Sequence, residues 1–185
     1  MCVAAPHPRP TERQPALEPP NLLLFLSRFS PSKHPGTTVV TDSVTSDGLA
    51  AFIQAAGGRH LRYKRGYRNV IGKGIELNAA GGDCELMMET SGHGAVRENR
   101  YLDDGTYAAA QVVILLAKSV RAGGPRDVCA AVLASLAEPA SSVEIRLKVT
   151  DPNFKAASAR VLAAFHDWVA GGGAGAEWAL EEASR

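Results

Sequence analysis

The sequence predicts an α/β fold with a mostly parallel sheet covered by helices on both faces. Three observations predict it. Short β-branched or apolar segments recur at residues 37–41, 60–64 and 84–88, helical patterns stand between and after them, and polar, glycine-punctuated loops join the two kinds of segment. Strands that alternate with helices in this way build right-handed βαβ units.

The elements follow in order. Residues 1–35 hold eight of the eleven prolines without a repeat, and proline resists both helix and central strand, so this lead is expected to be loose. Thr37-Thr-Val-Val-Thr41 is the first strand. "DSVTSDGLAAFIQAAGG" then supplies capping residues, an apolar face at Leu49, Phe52 and Ile53, and a glycine stop. His60-Leu-Arg-Tyr-Lys64 is the second strand, followed by the loop "KRGYRN". A helix is expected over Val70 to Leu77, although Gly72 and Gly74 each weaken it by about 1 kcal/mol against alanine. Cys84-Glu-Leu-Met-Met88 is the third strand, and "AVRENRYL" reads as an antiparallel strand or an extended return. "DDGTYAAAQVVILLAKSVRAGG" is the best-marked helix: acids open it, Lys118 and Arg121 close it, and Tyr107, Val113, Ile114, Leu116 and Val120 supply its apolar residues. Residues 171–185 read as a flexible Gly/Ala-rich tail with one short helical turn around Glu177 to Leu180.

This topology directs attention to one edge. Loops leaving parallel strands emerge together, at the edge where open α/β folds bind ligands. Here those loops are "DSVTSD", "KRGYR" and "ETSGH". Lys64, Arg65 and Arg68 suit a phosphate or carboxylate, because charge-assisted donors bind such oxygens strongly. Glu89 and Ser91 offer acceptors to hydroxyl groups, and His93 can donate or accept near neutral pH. A phosphorylated polyol fits both halves. The plainer reading, a solvated basic turn beside a strand-ending Ser-Gly-His turn, is weighed against this by the convergence of the loops.

Composition excludes several other classes. Twenty basic against nineteen acidic residues leave a formal charge of +1, so no global field draws the chain to nucleic acid or to an anionic membrane. Leu22 to Leu26 is the longest apolar run near the start, far short of the about 20 residues that span a bilayer. Cys2, Cys84 and Cys129 are odd in number and widely spaced, which favours a reducing compartment over a disulfide framework or a zinc site. Arg9, Arg13, Arg28 and Lys33 against Glu12 and Glu18 give a weak targeting signal, and the expected location is cytoplasmic or plastid.

Most catalytic signatures are missing. Ser91 and His93 share a loop but lack a third partner, which disfavours a Ser-His hydrolase. Neither "GKG" nor "AGGGAG" has the context of a nucleotide-binding glycine loop. Asp103 and Asp104 stand at a helix start and are expected to cap it; Asp42 and Asp47 are expected to serve a turn and an N-cap. No metal ligands are assigned. His34 lies in the loose lead, and His166 belongs to the helical stretch "FKAASARVLAAFHDWVA" on a solvated or partly buried face.

Four blocks in register, "VVTDSVTSDGLAAFI", "YKRGYRNVI", "ETSGHG" and "LDDGTYAAAQVVILLAK", resemble the third domain of the α-D-phosphohexomutases, the phosphoglucomutase/phosphomannomutase group. "METSGH" is similar to that family's sugar-recognition loop G-E-[MT]-S-[GA]-H, with Met88 in place of glycine. Lys64-Arg-Gly-Tyr67 is similar to its K-x-G-H loop, with Tyr67 in place of histidine. The likeness is strong over about residues 36–120. It continues weakly through "SVEIRLKVTDPNFKAASARVLAAFHDWV", similar to the start of the fourth domain.

The resemblance implies a three-layer α/β/α sandwich with a mostly parallel sheet and one antiparallel strand. It implies a domain over residues 36–140, the start of a further domain over 141–170, and recognition of a hexose phosphate, of glucose or mannose, through Glu89, Ser91, His93, Lys64, Arg65 and Tyr67. The family's activity is that of an isomerase, an intramolecular phosphotransferase that interconverts hexose 1-phosphate and 6-phosphate. Its phosphoserine motif T-A-S-H-N-P, its magnesium-binding D-x-D-x-D loop and its phosphate loop R-x-S-[GN]-T-x-P are not found in these 185 residues; "SPSKHPG" and "LASLAEPAS" do not match them. The expectation is a truncated or partial chain, inactive alone, with no catalytic residue of its own. Magnesium is expected only for the complete enzyme, and the missing mutase domains or a complete mutase are candidate partners. The alternative is a non-catalytic sugar-phosphate binding or scaffold protein derived from that domain.

Overall fold

The computed structural model describes residues 34–125, 128–134, 136–137, 149–175 and 180. The lead of residues 1–33, the expected strand within 141–148 and the expected turn around Glu177 lie outside the described residues. The elements run β1 (Thr38–Asp42), α1 (Asp47–Ala55), β2 (Arg59–Tyr63), α2 (Tyr67–Ala79), β3 (Cys84–Met88), β4 (Gly94–Val96), a 3-10 turn at Arg97–Asn99, α3 (Gly105–Arg121), α4 (Val128–Leu133) and α5 (Phe154–Ala170).

The four strands form one mixed sheet in the order β2-β1-β3-β4. β1 is parallel to both β2 and β3, with Val40 opposite Leu61 on one side and Met87 on the other. β4 returns antiparallel to β3, with Leu86 opposite Val96, so "AVRENRYL" is a short strand followed by a 3-10 turn.

Because strand side chains alternate, the sheet feeds two cores. On one face Val39, Leu86, Met88 and Val96 meet Leu49 and Ile53 of α1, with Phe52, Tyr107, Ala108, Val112 and Leu136 packed around them. On the other, Val40, Cys84, Met87 and Ala95 meet Val70 and Ile71 of α2, with Leu61, Tyr63, Leu77 and Tyr101 alongside. Helices thus cover both faces, the three-layer α/β/α arrangement. Burying each such aliphatic side chain contributes about 1.5–3 kcal/mol.

Two expectations are corrected, for α2 and Gly74, and the structure chooses the buried face of α3. α2 begins at Tyr67 and runs to Ala79, longer than the apolar stretch alone indicates. Gly74 is buried, and a Cβ there would lie 2.2 Å from Met87 Sδ, so this glycine permits close helix–sheet approach. In α3 the core-facing residues are Tyr107, Ala108 and Val112, whereas Val113, Ile114 and Val120 are exposed. An alanine-rich helix offers apolar surface all round, so periodicity alone does not choose its face. α5 also carries exposed apolar residues: Phe154, Val161, Leu162, Phe165 and Trp168. His166, on the same helix, is exposed beside Asp167.

Candidate functional site

The carboxyl ends of β1, β2 and β3 bring the three polar loops together, and three carboxylates fasten them. The first is Asp42, the last residue of β1, only 1% exposed. Its Oδ1 accepts from the Thr45 hydroxyl at 3.0 Å and from the Thr90 N–H at 3.4 Å, and its Oδ2 accepts from the Thr90 hydroxyl at 2.9 Å. Ser46 caps α1 by accepting from Leu49 N–H, and Asp47 begins the helix and pairs with Arg62.

The second is Glu89, just past β3 and 5% exposed. Its Oε1 accepts from Gly66 N–H at 2.5 Å, and its Oε2 accepts from the Ser91 hydroxyl at 3.1 Å. Gly66 has φ +117°, a conformation that favours glycine, and no side chain caps α2 there. The Glu89–Gly66 bond therefore ties the "KRGYR" turn directly to the "ETSGH" turn. That second turn closes on itself, with Glu89 N–H donating to the His93 carbonyl at 2.8 Å and Gly92 N–H to the Glu89 carbonyl at 3.0 Å.

The third is Asp103. Asp104 is the N-cap of α3 and accepts from Tyr107 N–H at 2.9 Å, but Asp103 does not cap the helix as expected. It faces the loop instead, pairing with His93 Nδ1 at 2.8 Å and accepting from Gly94 N–H at 3.0 Å. Just before Asp103, Arg100 and Tyr101 adopt left-handed backbone at φ +54° and +61°. Against a carboxylate oxygen, Nδ1 carries the hydrogen, which leaves Nε2 as the ring's other polar atom. The His93 side chain is 56% exposed. Its ring lies 5.3 Å from that of Tyr67, centre to centre.

The cations are arranged differently. Lys64, Arg65 and Arg68 are all exposed. Among the described residues Lys64 and Arg65 form no side-chain hydrogen bond or ion pair; Arg68 donates to the Tyr67 hydroxyl at 3.2 Å. The edge thus presents ordered hydroxyl and imidazole groups beside cations free to meet an anion. All six expected residues, Glu89, Ser91, His93, Lys64, Arg65 and Tyr67, lie in the two joined turns or at the start of the helix between them. Sequence reasoning gave Asp42 a turn, which it does make with Thr45, and Asp103 a helix cap, but read neither as a tie between loops and did not single out Thr90.

Other chemistries find little support in the geometry. Among the described residues no three of His, Cys, Asp and Glu gather for a metal. Asp42 is buried with its oxygens given to Thr45 and Thr90, and Asp103 gives its own to His93 and Gly94, so among the described residues this edge gathers no set of oxygen ligands that fits a magnesium ion. Cys84 is buried, and burial pushes its thiol up to about 12, which makes it a core group and not a nucleophile. Met88 stands in β3 with its side chain in the core. A cleft beneath Gly92, Gly94 and Leu102, of about 10 Å³, holds no more than about one water. Among the described residues no helix is long and apolar enough to cross a membrane.

Fold and site together define a three-layer α/β/α domain that gathers its polar loops at the carboxyl ends of parallel strands. The family profile described as phosphoglucomutase/phosphomannomutase, alpha/beta/alpha domain III, matches residues 21–135, more than half of the chain. A phosphomannomutase/phosphoglucomutase of Pseudomonas putida is 28% identical over 134 residues, 72% of this chain and 27% of that protein. One of Pseudomonas aeruginosa is 31% identical over 104 residues, 56% of this chain and 21% of that protein. The crystal structure of a phosphoglucomutase/phosphomannomutase family protein from Burkholderia thailandensis matches with a TM-score of 0.50 and 27% identity, over 63% of this chain and 24% of the other. The chain belongs to the phosphoglucomutase/phosphomannomutase family and carries its α/β/α domain III. It spans about a quarter of the length of these relatives.

Proposed function

We propose that this chain is the sugar-phosphate recognition part of a phosphohexomutase. The observation that carries the reading is the Glu89–Gly66 hydrogen bond, which joins the cationic turn to the Ser-Gly-His turn in one surface. On this reading the Ser91 oxygen, the carboxylate of Glu89 and the His93 imidazole meet the hydroxyls of a hexose. Lys64 and Arg65, free of other partners among the described residues, meet its phosphate, and Tyr67 lines the wall beside His93.

Phosphoryl transfer depends on positioning and electrostatic stabilisation of the transferring group. The residues present supply positioning for the sugar; the phosphoserine, metal and phosphate motifs are not among them. We infer that the chain alone does not interconvert hexose 1-phosphate and 6-phosphate. The exposed apolar residues of α3 and α5 support further mutase polypeptide as the partner that covers them.

The test is an amide-detected titration of the whole chain with millimolar glucose 1-phosphate and mannose 1-phosphate. The expected result is movement of the amide signals from Lys64 to Arg68 and from Glu89 to His93, with the β1 to β3 core unmoved. Spectra without change at either turn would overturn an autonomous sugar-phosphate pocket.

A further inference from the structure

Asp42 is a carboxylate with 1% exposure, and no cation pairs with it among the described residues. Desolvating a carboxylate is costly unless donors surround it, and here the donors come from two loops, Thr45 at 3 residues from Asp42 and Thr90 at 48. From its own loop Asp42 takes only the hydroxyl of Thr45, itself buried, and the backbone turn closes independently through Thr45 N–H to the Asp42 carbonyl. From the other loop it takes both polar groups of Thr90, amide and hydroxyl. Thr90 is the residue between Glu89 and Ser91, the two groups offered to the hexose.

The rest of the connection is short. Thr90 fixes the backbone that carries Glu89; Glu89 holds Gly66 N–H and the Ser91 hydroxyl. A displacement of Thr90 therefore reaches the cationic turn through one side chain. At the opposite end of the sheet the ionic cluster is of another kind: Arg97 pairs with Asp83 at 2.7 Å and Glu85 at 3.0 Å, within the β3–β4 hairpin and its approach. That cluster joins no loop of the recognition edge.

We propose that Asp42 is a positioning residue for sugar recognition: through Thr90 it sets the place of Glu89 and Ser91, and through Glu89 that of the Lys64–Tyr67 turn. It rests on the sugar-phosphate reading for its purpose, but not for its geometry. Asp42 touches no sugar; it holds the groups that do. Side chains preorganised in this way lose less freedom on binding, so loss of the clamp should weaken binding without removing any contacting residue.

The experiment is hydrogen exchange and amide chemical shift at Gly66 and Ser91 in the ligand-free chain, followed by titration with glucose 1-phosphate and mannose 1-phosphate. The variants are Asp42→Asn, Thr90→Val, Thr90→Ser and, as the control at the far end of the sheet, Arg97→Ala. The expected result is a loss of Gly66 protection by roughly tenfold in Asp42→Asn and Thr90→Val, preserved in Thr90→Ser, which keeps the hydroxyl. Arg97→Ala should lower stability and leave Gly66 as in the parent. Should Asp42→Asn not fold, Thr90→Val carries the same test. Gly66 protection unchanged in Thr90→Val, or lost equally in Arg97→Ala, overturns the positioning role. Failure of the parent chain to bind either sugar phosphate, with the Gly66 effects intact, overturns the sugar reading and leaves the clamp standing.

Discussion

The acids and the bases at the carboxyl edge of the sheet are placed in opposite ways. Asp42 and Glu89 are buried, Asp103 is an exposed residue whose side chain is 28% accessible, and each has its oxygens taken up by N–H or O–H groups of a neighbouring loop or, in Asp42 and Glu89, of its own turn as well. Lys64 and Arg65 stand in solvent without a side-chain partner among the described residues. The difference teaches where each type acts. A carboxylate accepts several hydrogen bonds at fixed angles and serves as a joint between backbones. A long flexible cation, left unpaired, can reach an arriving anion without first breaking a bond. The acids should therefore govern the shape of the edge, and the cations its affinity for charge.

The sharpest way to break this division is Glu89→Ala. It removes the acceptor of Gly66 N–H and of the Ser91 hydroxyl at once, and charged hydrogen bonds lost from a buried position weaken a fold strongly. The expected loss is about 2–3 kcal/mol in urea denaturation, together with loss of the sugar-phosphate response at both turns. A variant as stable as the parent would show that Glu89 is no joint.

The joints were the part least legible in the sequence. β3 was readable residue for residue because Cys84 to Met88 is apolar enough to be buried throughout, and β1 to within one residue because β-branched residues fill all of it but its last position, Asp42. That the polar loops meet at one edge was readable because loops leaving parallel strands emerge together. Asp42 and Asp103 were not, since an acid at the end of a strand or the start of a helix carries the same signal whether it caps locally or reaches another loop. Only the partner decides, and Thr90 lies 48 residues from Asp42. Gly74 was misread for the same reason: as a helix residue it is a penalty, and only the proximity of Met87 explains it.

The next effect tests a half-buried base. His60 on β2 shares a 2.7 Å hydrogen bond with Thr41, and burial, aided by the charge of Arg62, pushes its pKa down to about 4, against a smaller opposing pull from Asp47. The unfolded chain takes up a proton at His60 below pH about 6.5, whereas the folded chain does so only near 4. Protons therefore favour the unfolded state between those values, and stability falls as pH drops through that window. His60→Gln keeps a polar group for Thr41 and cannot titrate. Denaturation midpoints measured across pH 4 to 6.5 should decline less steeply in the variant than in the parent; equal slopes would mean that His60 titrates alike in both states.

The smallest effect on stability belongs to the free cations, and it sharpens the comparison most. Lys64→Ala and Arg65→Ala remove exposed side chains with no partner among the described residues, so denaturation midpoints should stay within about 0.5 kcal/mol of the parent. Affinity should behave otherwise. Each exposed charge contributes about 1 kcal/mol or less to holding a phosphate, so binding of glucose 1-phosphate should weaken by up to about fivefold per substitution. That loss should shrink as salt is raised, because exposed charges are screened. Unphosphorylated glucose, which offers no anion, should be unaffected by either change. Equal weakening toward glucose and glucose 1-phosphate would assign the two residues to shaping the turn, a task the structure gives to Glu89, and the separation of acids from bases at this edge would fail.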